Sequence, residues 1–532
     1  MIEEKTRQKY YFGSLIAWGL FFVLVYCNFL LATVQDSGNR IFNSPDENAN
    51  YLFTKLYSEK SEFFIPEPEN AKYTNIIFPR SVHVAEDGML LSGSFIGIII
   101  IYGLLAKFFG IWIIIFLTPI ISFFGAIFFF KLIKEIFSKK IAFISTLLLF
   151  IFRAWWYYNS RSMFHNILFV NFIIFFLYCF IKFLRNRRVS YIVGSLAFFA
   201  LALFTRFSEI VWIAPGFFAL LIASKKYISW KIFISMMCLF FAIILGIVYA
   251  NIKIFGNAIT AGYSYELESA SAISNVFNMI FPFGFHPKRA FINFYNYYPY
   301  LLWWFFIPSI LGFIFMLKKF RRLAQEQKYY IFGFCCVSVF LILYYGSWTI
   351  TDNLDPSKIT IGTSYVRYWL CIYIFSLPFA AYFFQKLLSV IKNRKLKMAT
   401  IFILMVALAY LSFDLVWLNS EESLLAVQKS INGYYMKRDL VSSIISDDSM
   451  IVTEKSDKIF FPKYKIISEP NNEKVIQNVK KMISDGIPIY YYTFLGDNDI
   501  NVYNSYLDSF GMKLNNKIRI FGNENLYSME IK

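Results

Sequence analysis

Long apolar stretches recur along the chain, separated by short basic or aromatic connections. Runs long enough to cross about 30 Å of hydrocarbon as helix occur near 12–34, 111–134, 141–157, 163–184, 189–204, 208–224, 230–252, 299–317, 328–346, 365–386 and 397–417. They predict a mainly α polytopic membrane protein with about eleven transmembrane helices. The run 12–34 follows Lys5, Arg7 and Lys9, is longer than a signal-peptide core and is taken as a retained first span. A twelfth run, 94–109, is short and carries Lys107.

Charge placement decides that case. With the first span entering from inside and 94–109 not crossing, the inner segments collect 24 Lys and Arg, in clusters such as Lys131 to Lys140, Lys182 to Arg188, Lys225 to Lys231, Lys318 to Lys328 and Lys386 to Lys397. The opposite short connections hold only Arg153, Arg161, Arg206, Lys358 and Arg367. Counting 94–109 as a span would invert every later loop and break the positive-inside pattern. It is therefore expected to lie along the outer interface.

This topology puts residues 35–110, 253–298 and everything after about 418 outside, and divides the chain into a transmembrane domain, 1–418, and a small extracytoplasmic α/β domain, 419–532. The latter alternates strand-like runs (450–453, 487–493, 517–520) with helix-like ones (473–484, 500–510). Its 14 Lys and Arg against 15 Asp and Glu leave no basic patch for nucleic acid.

Composition agrees. Of 532 residues 58% are hydrophobic, 21% aromatic and 16% charged, with formal net charge +18; an ordinary soluble domain carries about 25% charged residues. The +18 is mostly a sidedness signal. Six cysteines, all inside apolar runs, indicate neither a disulfide framework nor a CxxC metal pattern, and three scattered histidines give no zinc spacing.

The informative charges are the few left outside. Ser44-Pro45-Asp46-Glu47 follows the first span, with Tyr51 beyond it. Adjacent carboxylates at a low-dielectric edge can act as general base or metal ligand, and the same residues spell a capped helix start; the two readings are compatible. Arg80, near His83, Glu86 and Asp87, could grip phosphate or be a solvated loop charge. Arg161 suits a ligand or an aromatic-belt anchor, and His165, one turn into an apolar helix, a base, a substrate contact or a core histidine. Arg206 either binds an anionic headgroup or pairs with Glu209. His286, Lys288 and Arg289 follow an aromatic stretch, and Asp352, Asp355 and Lys358 precede Arg367.

The order of these features resembles a known family. A first span with an inside N-terminus, a long outer loop opening with Pro45-Asp46-Glu47 and Tyr51, a near-surface helix ending Lys107-Phe-Phe-Gly110, the Ser160-Arg161 and Thr205-Arg206 turns, and a C-terminal outer domain look like the GT-C glycosyltransferase superfamily. Within it the chain is most similar to glycosyltransferase family 39, the protein O-mannosyltransferases and the lipid A aminoarabinose transferases, over roughly residues 1–420.

The resemblance implies an inverting transfer of a sugar from a polyprenyl-phosphate donor, dolichyl or undecaprenyl, to a protein, lipid or glycan acceptor at the outer face of a plasma or inner membrane. It implies Asp46 as general base, Glu47 as positioning group, and Arg206, with Arg161 and Arg80, at the donor phosphate. Tyr51, His165, His286, Lys288 and Arg367 are expected substrate contacts. Where many relatives carry an acidic residue after an Arg like Arg161, this chain has His165-Asn166, so no metal ligand is assigned and a divalent cation is left open.

Two rival classes are a transporter or flippase of a lipid-linked glycoconjugate and a non-enzymatic receptor or scaffold. Transporters put ionisable groups at mid-membrane on broken helices within repeated halves, and the sequence has no internal repeat and few mid-span charges. A scaffold leaves the long charged first loop unexplained.

Overall fold

The computed structural model describes all residues except 1, 35–39, 86, 225, 227, 257–280, 353, 354 and 356. Glu86, Lys225 and most of the 253–298 loop therefore lie outside the described residues. The chain forms two compact units.

The helical unit holds residues up to Leu31, Ile115–Val248 and 281–426. Among the described residues, seven helices are long and apolar enough to cross a membrane, or up to ten if each of three bent pairs is one span. The expected count of about eleven treats runs 189–204 and 208–224 as separate spans; they form Val189–Thr205 and Phe207–Ile222, which meet at a bend of 114° at Arg206. The physical reason is a polar corner: Arg206 ends one apolar helix, and its local partner Glu209 lies in a 3-10 turn that starts the next.

His165–Asn186 and Leu370–Val390 are the most enclosed of the long helices, with 72% and 67% of their most apolar stretch buried, against 17% for Trp230–Phe255. The inner helices pack by small residues. Gly312, in Trp303–Leu317, lies so close to Leu370–Val390 that a Cβ there would fall 1.9 Å from the carbonyl oxygen of Phe379.

The mixed unit joins Ala32–Ile114 to Val427–Lys532. The contact boundary does not follow the sequence boundary at 418, because the first loop supplies part of the C-terminal core. Tyr73, Ile76 and Ile77 are buried in one cluster with Ile467, Val475, Met482 and Leu507. Each such aliphatic side chain removed from water contributes about 1.5–3 kcal/mol, so neither segment buries its apolar face alone.

A five-stranded sheet, order β5-β4-β6-β8-β7, carries the C-terminal part. Strands β4 (Met450–Val452), β5 (Lys465–Ile467) and β6 (Ile489–Thr493) are parallel, while β7 (Met512–Phe521) and β8 (Glu524–Ile531) are antiparallel additions. The expected helix 473–484 is present as Glu473–Ser484, with Asn472 capping the Lys474 amide at 3.1 Å and Val475, Ile476, Val479 and Met482 turned inward. Strands β5 and β8 were not expected. The first is only three residues long, and the second, Glu-Asn-Leu-Tyr-Ser-Met-Glu-Ile, lacks a β-branched run.

A smaller sheet, β1-β3-β2, is built from Phe64–Ile65, Leu90–Ser92 and Val82–Val84 of the first loop. The run 94–109 forms a helix, Ile96–Phe109; at 1.5 Å per residue its length is about 21 Å, too short for a bilayer core. It packs on the helix Pro45–Lys60, and Lys107 donates to Ser61 Oγ at 2.7 Å while lying over the Tyr57 ring. That tie gives the lone charge of the apolar run a partner.

Candidate active site

The expected site residues fall into both units: Asp46, Glu47, Tyr51 and Arg80 in the mixed unit, and Arg161, His165, Arg206, His286, Lys288 and Arg367 in the helical one. In the mixed unit, Pro45–Lys60 begins as its sequence dictates. Ser44 occupies the N-cap in extended conformation, Pro45 the first turn, and Glu47 Oε2 accepts the Ser44 amide at 3.0 Å. Glu47 is therefore used in closing the helix start, half of a capping box. It is 1% exposed, and the buried guanidinium of Arg40 lies close enough to sense its charge. Burial pushes Arg40 down from the ordinary arginine range, while Tyr435, Tyr51 and Glu47 oppose that shift.

Asp46 is 8% exposed and its Oδ1 accepts the Ser81 hydroxyl at 2.7 Å. Its place in the first turn sets the carboxylate against the positive end of the helix dipole. Both the structural and the chemical reading of this motif are thus compatible with the fold: Glu47 caps and Asp46 faces the loop that carries Ser81. Tyr51 is buried with its ring 5.3 Å from that of Phe42.

Arg80 is committed to the C-terminal segment. Its amide and Nε each donate to Asp457 at 2.9 Å, and its terminal nitrogen reaches the Lys455 carbonyl at 2.6 Å. Asp457, 1% exposed, is the buried partner of this pair.

In the helical unit the signal sits at two broken helices. Lys139–Ile151 and Arg153–Arg161 meet at 51°. After Arg161 the backbone turns through Ser162 and Met163, both with positive φ (62° and 42°), before His165 starts the next helix. Two consecutive non-glycine residues in that region mark a corner held by its surroundings. Arg161 donates to the Tyr157 hydroxyl at 2.7 Å and lies 5.3 Å from the Phe164 ring. His165 is buried at the helix start.

At the second corner Arg206 and Glu209 form a buried ion pair at 2.7 Å. Tyr345 closes it, accepting from Arg206 at 3.0 Å and donating to Glu209 at 2.6 Å, while the Trp212 indole donates to the other Glu209 oxygen. The pairing foreseen as one reading of Arg206 is present. Tyr345, 136 residues from Glu209, carried no local sequence signal.

Arg367 completes the arrangement. It is 9% exposed, donates to Ser364 Oγ at 2.7 Å, and lies 4.9 Å from the Phe164 ring and 5.4 Å from the Tyr368 ring. Arg161 shares Phe164 with it, and Arg206 shares Tyr368 at 5.1 Å. The three arginines thus form a row separated by aromatic rings, an arrangement in which cation–π contacts offset like-charge repulsion. Arg206 and Arg367 line a small internal cavity with Glu209, Trp212, Tyr368 and Asn166. Asn166 Oδ1 is buried there with no hydrogen-bond partner among the described residues. The cavity wall thus carries the Arg206–Glu209 pair and the Arg367 guanidinium.

His286 and Lys288 are exposed on the helix Pro287–Tyr295 or at its cap and line no part of that cavity. Asp352 accepts the Ser364 amide at 2.6 Å, and Lys358 pairs with Glu421 at 2.5 Å, so both fix local structure. No group of three or more His, Cys, Asp or Glu able to hold a metal occurs among the described residues.

Residues 96–250 match the family model described as dolichyl-phosphate-mannose-protein mannosyltransferase. No curated protein matches the chain. Among solved structures, the fold is similar to ArnT from Cupriavidus metallidurans bound to undecaprenyl phosphate, with 10% identity, TM-score 0.54 and coverage of 96% of this chain and 98% of that one. It is also similar to the archaeal oligosaccharyltransferase AglB from Archaeoglobus fulgidus in complex with an inhibitory peptide and a dolichol-phosphate, with 11% identity, TM-score 0.53 and coverage of 91% and 69%. The family match is confined to residues 96–250, and at 10–11% identity the solved structures show a shared fold: the chain has a GT-C-type fold, with broken apolar helices and a mixed unit built on the first loop.

Proposed function

We propose that the protein transfers a sugar from a polyprenyl-phosphate donor to an acceptor hydroxyl or amide at the outer face of a cell membrane, inverting the anomeric carbon. The observation that carries this reading is Asp46: a buried carboxylate at a helix N-terminus, hydrogen-bonded to Ser81, beside a second carboxylate already used for the cap. Such a group takes a proton from an acceptor while its own charge is held by the helix end. Similarity in fold to proteins with bound undecaprenyl phosphate and dolichol-phosphate supports the donor class. The orientation rests on the basic inner clusters, which put the N-terminus in the cytoplasm.

In the step itself the acceptor oxygen or nitrogen bonds to the anomeric carbon as the bond from that carbon to the phosphate oxygen breaks. The acceptor proton passes to Asp46, and the electron pair leaves with the lipid phosphate. Charge grows on that phosphate, so cations set against it lower the barrier. We assign Arg367 and Arg161 to it; Arg206 is paired with Glu209 at its own corner, and Arg80, paired with Asp457, is left out of the set.

Purified protein supplied with a polyprenyl-phosphate sugar and candidate acceptors is expected to release the free lipid phosphate. Asp46→Asn is expected to stop release with donor binding and folding intact. Turnover retained in that variant would remove Asp46 as the base; carrier flux across proteoliposomes without bond cleavage would replace the enzyme by a flippase.

A further inference from the structure

Asp46 is flanked by two loop segments, and both are held from the C-terminal segment, by Tyr434 and Tyr435 and by the consecutive pair Asp457 and Lys458. On the near side, the entry to Pro45–Lys60 is tied at three points: the Ile41 amide donates to the Tyr435 hydroxyl at 3.0 Å, Tyr434 donates to Asn43 Oδ1 at 3.0 Å, and Lys458 donates to the Asn43 carbonyl at 2.6 Å. On the far side, Asp457 takes the amide and guanidinium of Arg80, and the next residue, Ser81, donates to Asp46. Asp457 and Lys458 are consecutive and open the four-residue helix Asp457–Phe460.

Ser81 reaches Asp46 from an unfavourable backbone. Its φ is 61°, in the left-handed region that serine rarely adopts. Its carbonyl accepts the Gly93 amide at 2.9 Å, and a Cβ on Gly93 would lie 2.8 Å from that carbonyl. A conformation of this kind persists only where neighbours over-determine it, and here the neighbours are Gly93 on one side and the Arg80–Asp457 pair on the other.

We propose that the C-terminal segment serves the reaction directly, Asp457 and Lys458 being positioning residues that hold Ser81 and the helix entry so that Asp46 presents its carboxylate in one orientation. This rests on Asp46 being the base. Holding a reacting group within about 1 Å of its productive place is worth up to about a hundredfold in rate, and one rotamer of a short side chain is at stake here.

The test compares Ser81→Ala, Ser81→Gly, Asp457→Asn and Lys458→Met with Asp46→Asn, measuring kcat and the donor KM in the full-length protein together with melting temperature. Both Ser81 variants lose the hydroxyl, but they differ in the backbone: glycine relieves the positive φ and alanine does not. A purely structural serine would therefore make Ser81→Gly equal to or better than wild type and Ser81→Ala worse. The expected result is that both lose kcat by about 10- to 100-fold with donor KM unchanged, and that Asp457→Asn and Lys458→Met lower kcat in the same sense. Wild-type kcat in both Ser81 variants, with Asp46→Asn inactive, would overturn the positioning role and leave the base in place. Full activity in Asp46→Asn would overturn the base itself. Should Asp457→Asn fold poorly, Lys458→Met still decides: wild-type kcat there, with both Ser81 variants impaired, would overturn the role of the C-terminal segment.

Discussion

The arginines divide by what faces them. Arg206 and Glu209 are both buried, and taking one partner from such a pair leaves an uncompensated charge at a cost of about 3–5 kcal/mol. Glu209→Gln and Arg206→Ala are therefore expected to lower the yield of folded protein, with the double replacement Arg206→Met, Glu209→Met recovering much of it in thermal unfolding. Arg367 is anchored to a serine hydroxyl and two rings and lines the cavity together with the Arg206–Glu209 pair. Arg367→Gln is expected to keep the melting temperature and raise the donor KM about 10- to 100-fold, the worth of a charged hydrogen bond; an unchanged KM would hand the phosphate to another group. The sequence made Asp46, Glu47 and the Arg206–Glu209 pair legible because capping and i, i+3 pairing are local. Ser81, Asp457, Tyr345 and Tyr368 were not legible as site residues, since their partners lie tens to hundreds of positions away and nothing in a serine or tyrosine announces a distant partner.

Among the elements, apolar runs located nearly every helix, because a membrane demands length and leaves the chain little choice of conformation. What they could not give is the bend. The 114° turn at Arg206 and the left-handed Ser162-Met163 corner come from polar and backbone contacts that hydropathy averages away. Close helix approach is likewise invisible in a run of apolar letters. Gly312 faces the Phe379 carbonyl with no room for a methyl group, and Pro378 beside it limits how far that strip of backbone can move. Gly312→Ala is expected to destabilise the helical unit by about 1–3 kcal/mol through overpacking. A fall in detergent melting temperature with no change in the mixed unit's protease pattern would check this. Gly216, where a Cβ meets nothing within 4 Å, is the matched control.

The whole molecule separates sequence order from structural order. A linear reading gave the C-terminal 114 residues a domain of their own, and their strand and helix periods do describe a sheet with covering helices. Periodicity has no means of showing that Tyr73, Ile76 and Ile77 of the first loop fill that sheet's core, or that Phe78 bridges Ile467 at its β5 edge. Ser468 adds a hydrogen bond to the Phe78 carbonyl at 2.7 Å along the same edge. An exposed edge strand is a template for unwanted pairing, and here the first loop sits at it. The basic clusters behind most of the net charge of +18 belong to the helical unit.

The tie between Arg80 and Asp457 spans 377 residues. At synthesis rates of 5–20 residues per second, about 20 to 75 s separate the emergence of its two ends. During that interval the first loop has lost neither its apolar Tyr73, Ile76 and Ile77 nor its charges to any partner in the mixed unit, and the catalytic carboxylate proposed here has no fixed neighbour in Ser81. On the proposed function the site is then assembled in time as well as space: a chain interrupted before its last hundred residues would hold its apolar helices and still lack the contacts that order the proposed base. Pulse-labelled chains should show residues 40–110 cleaved by protease until the C-terminal segment is synthesised, and protected afterwards. Protection in chains stopped at residue 426 would mean that the first loop folds unaided.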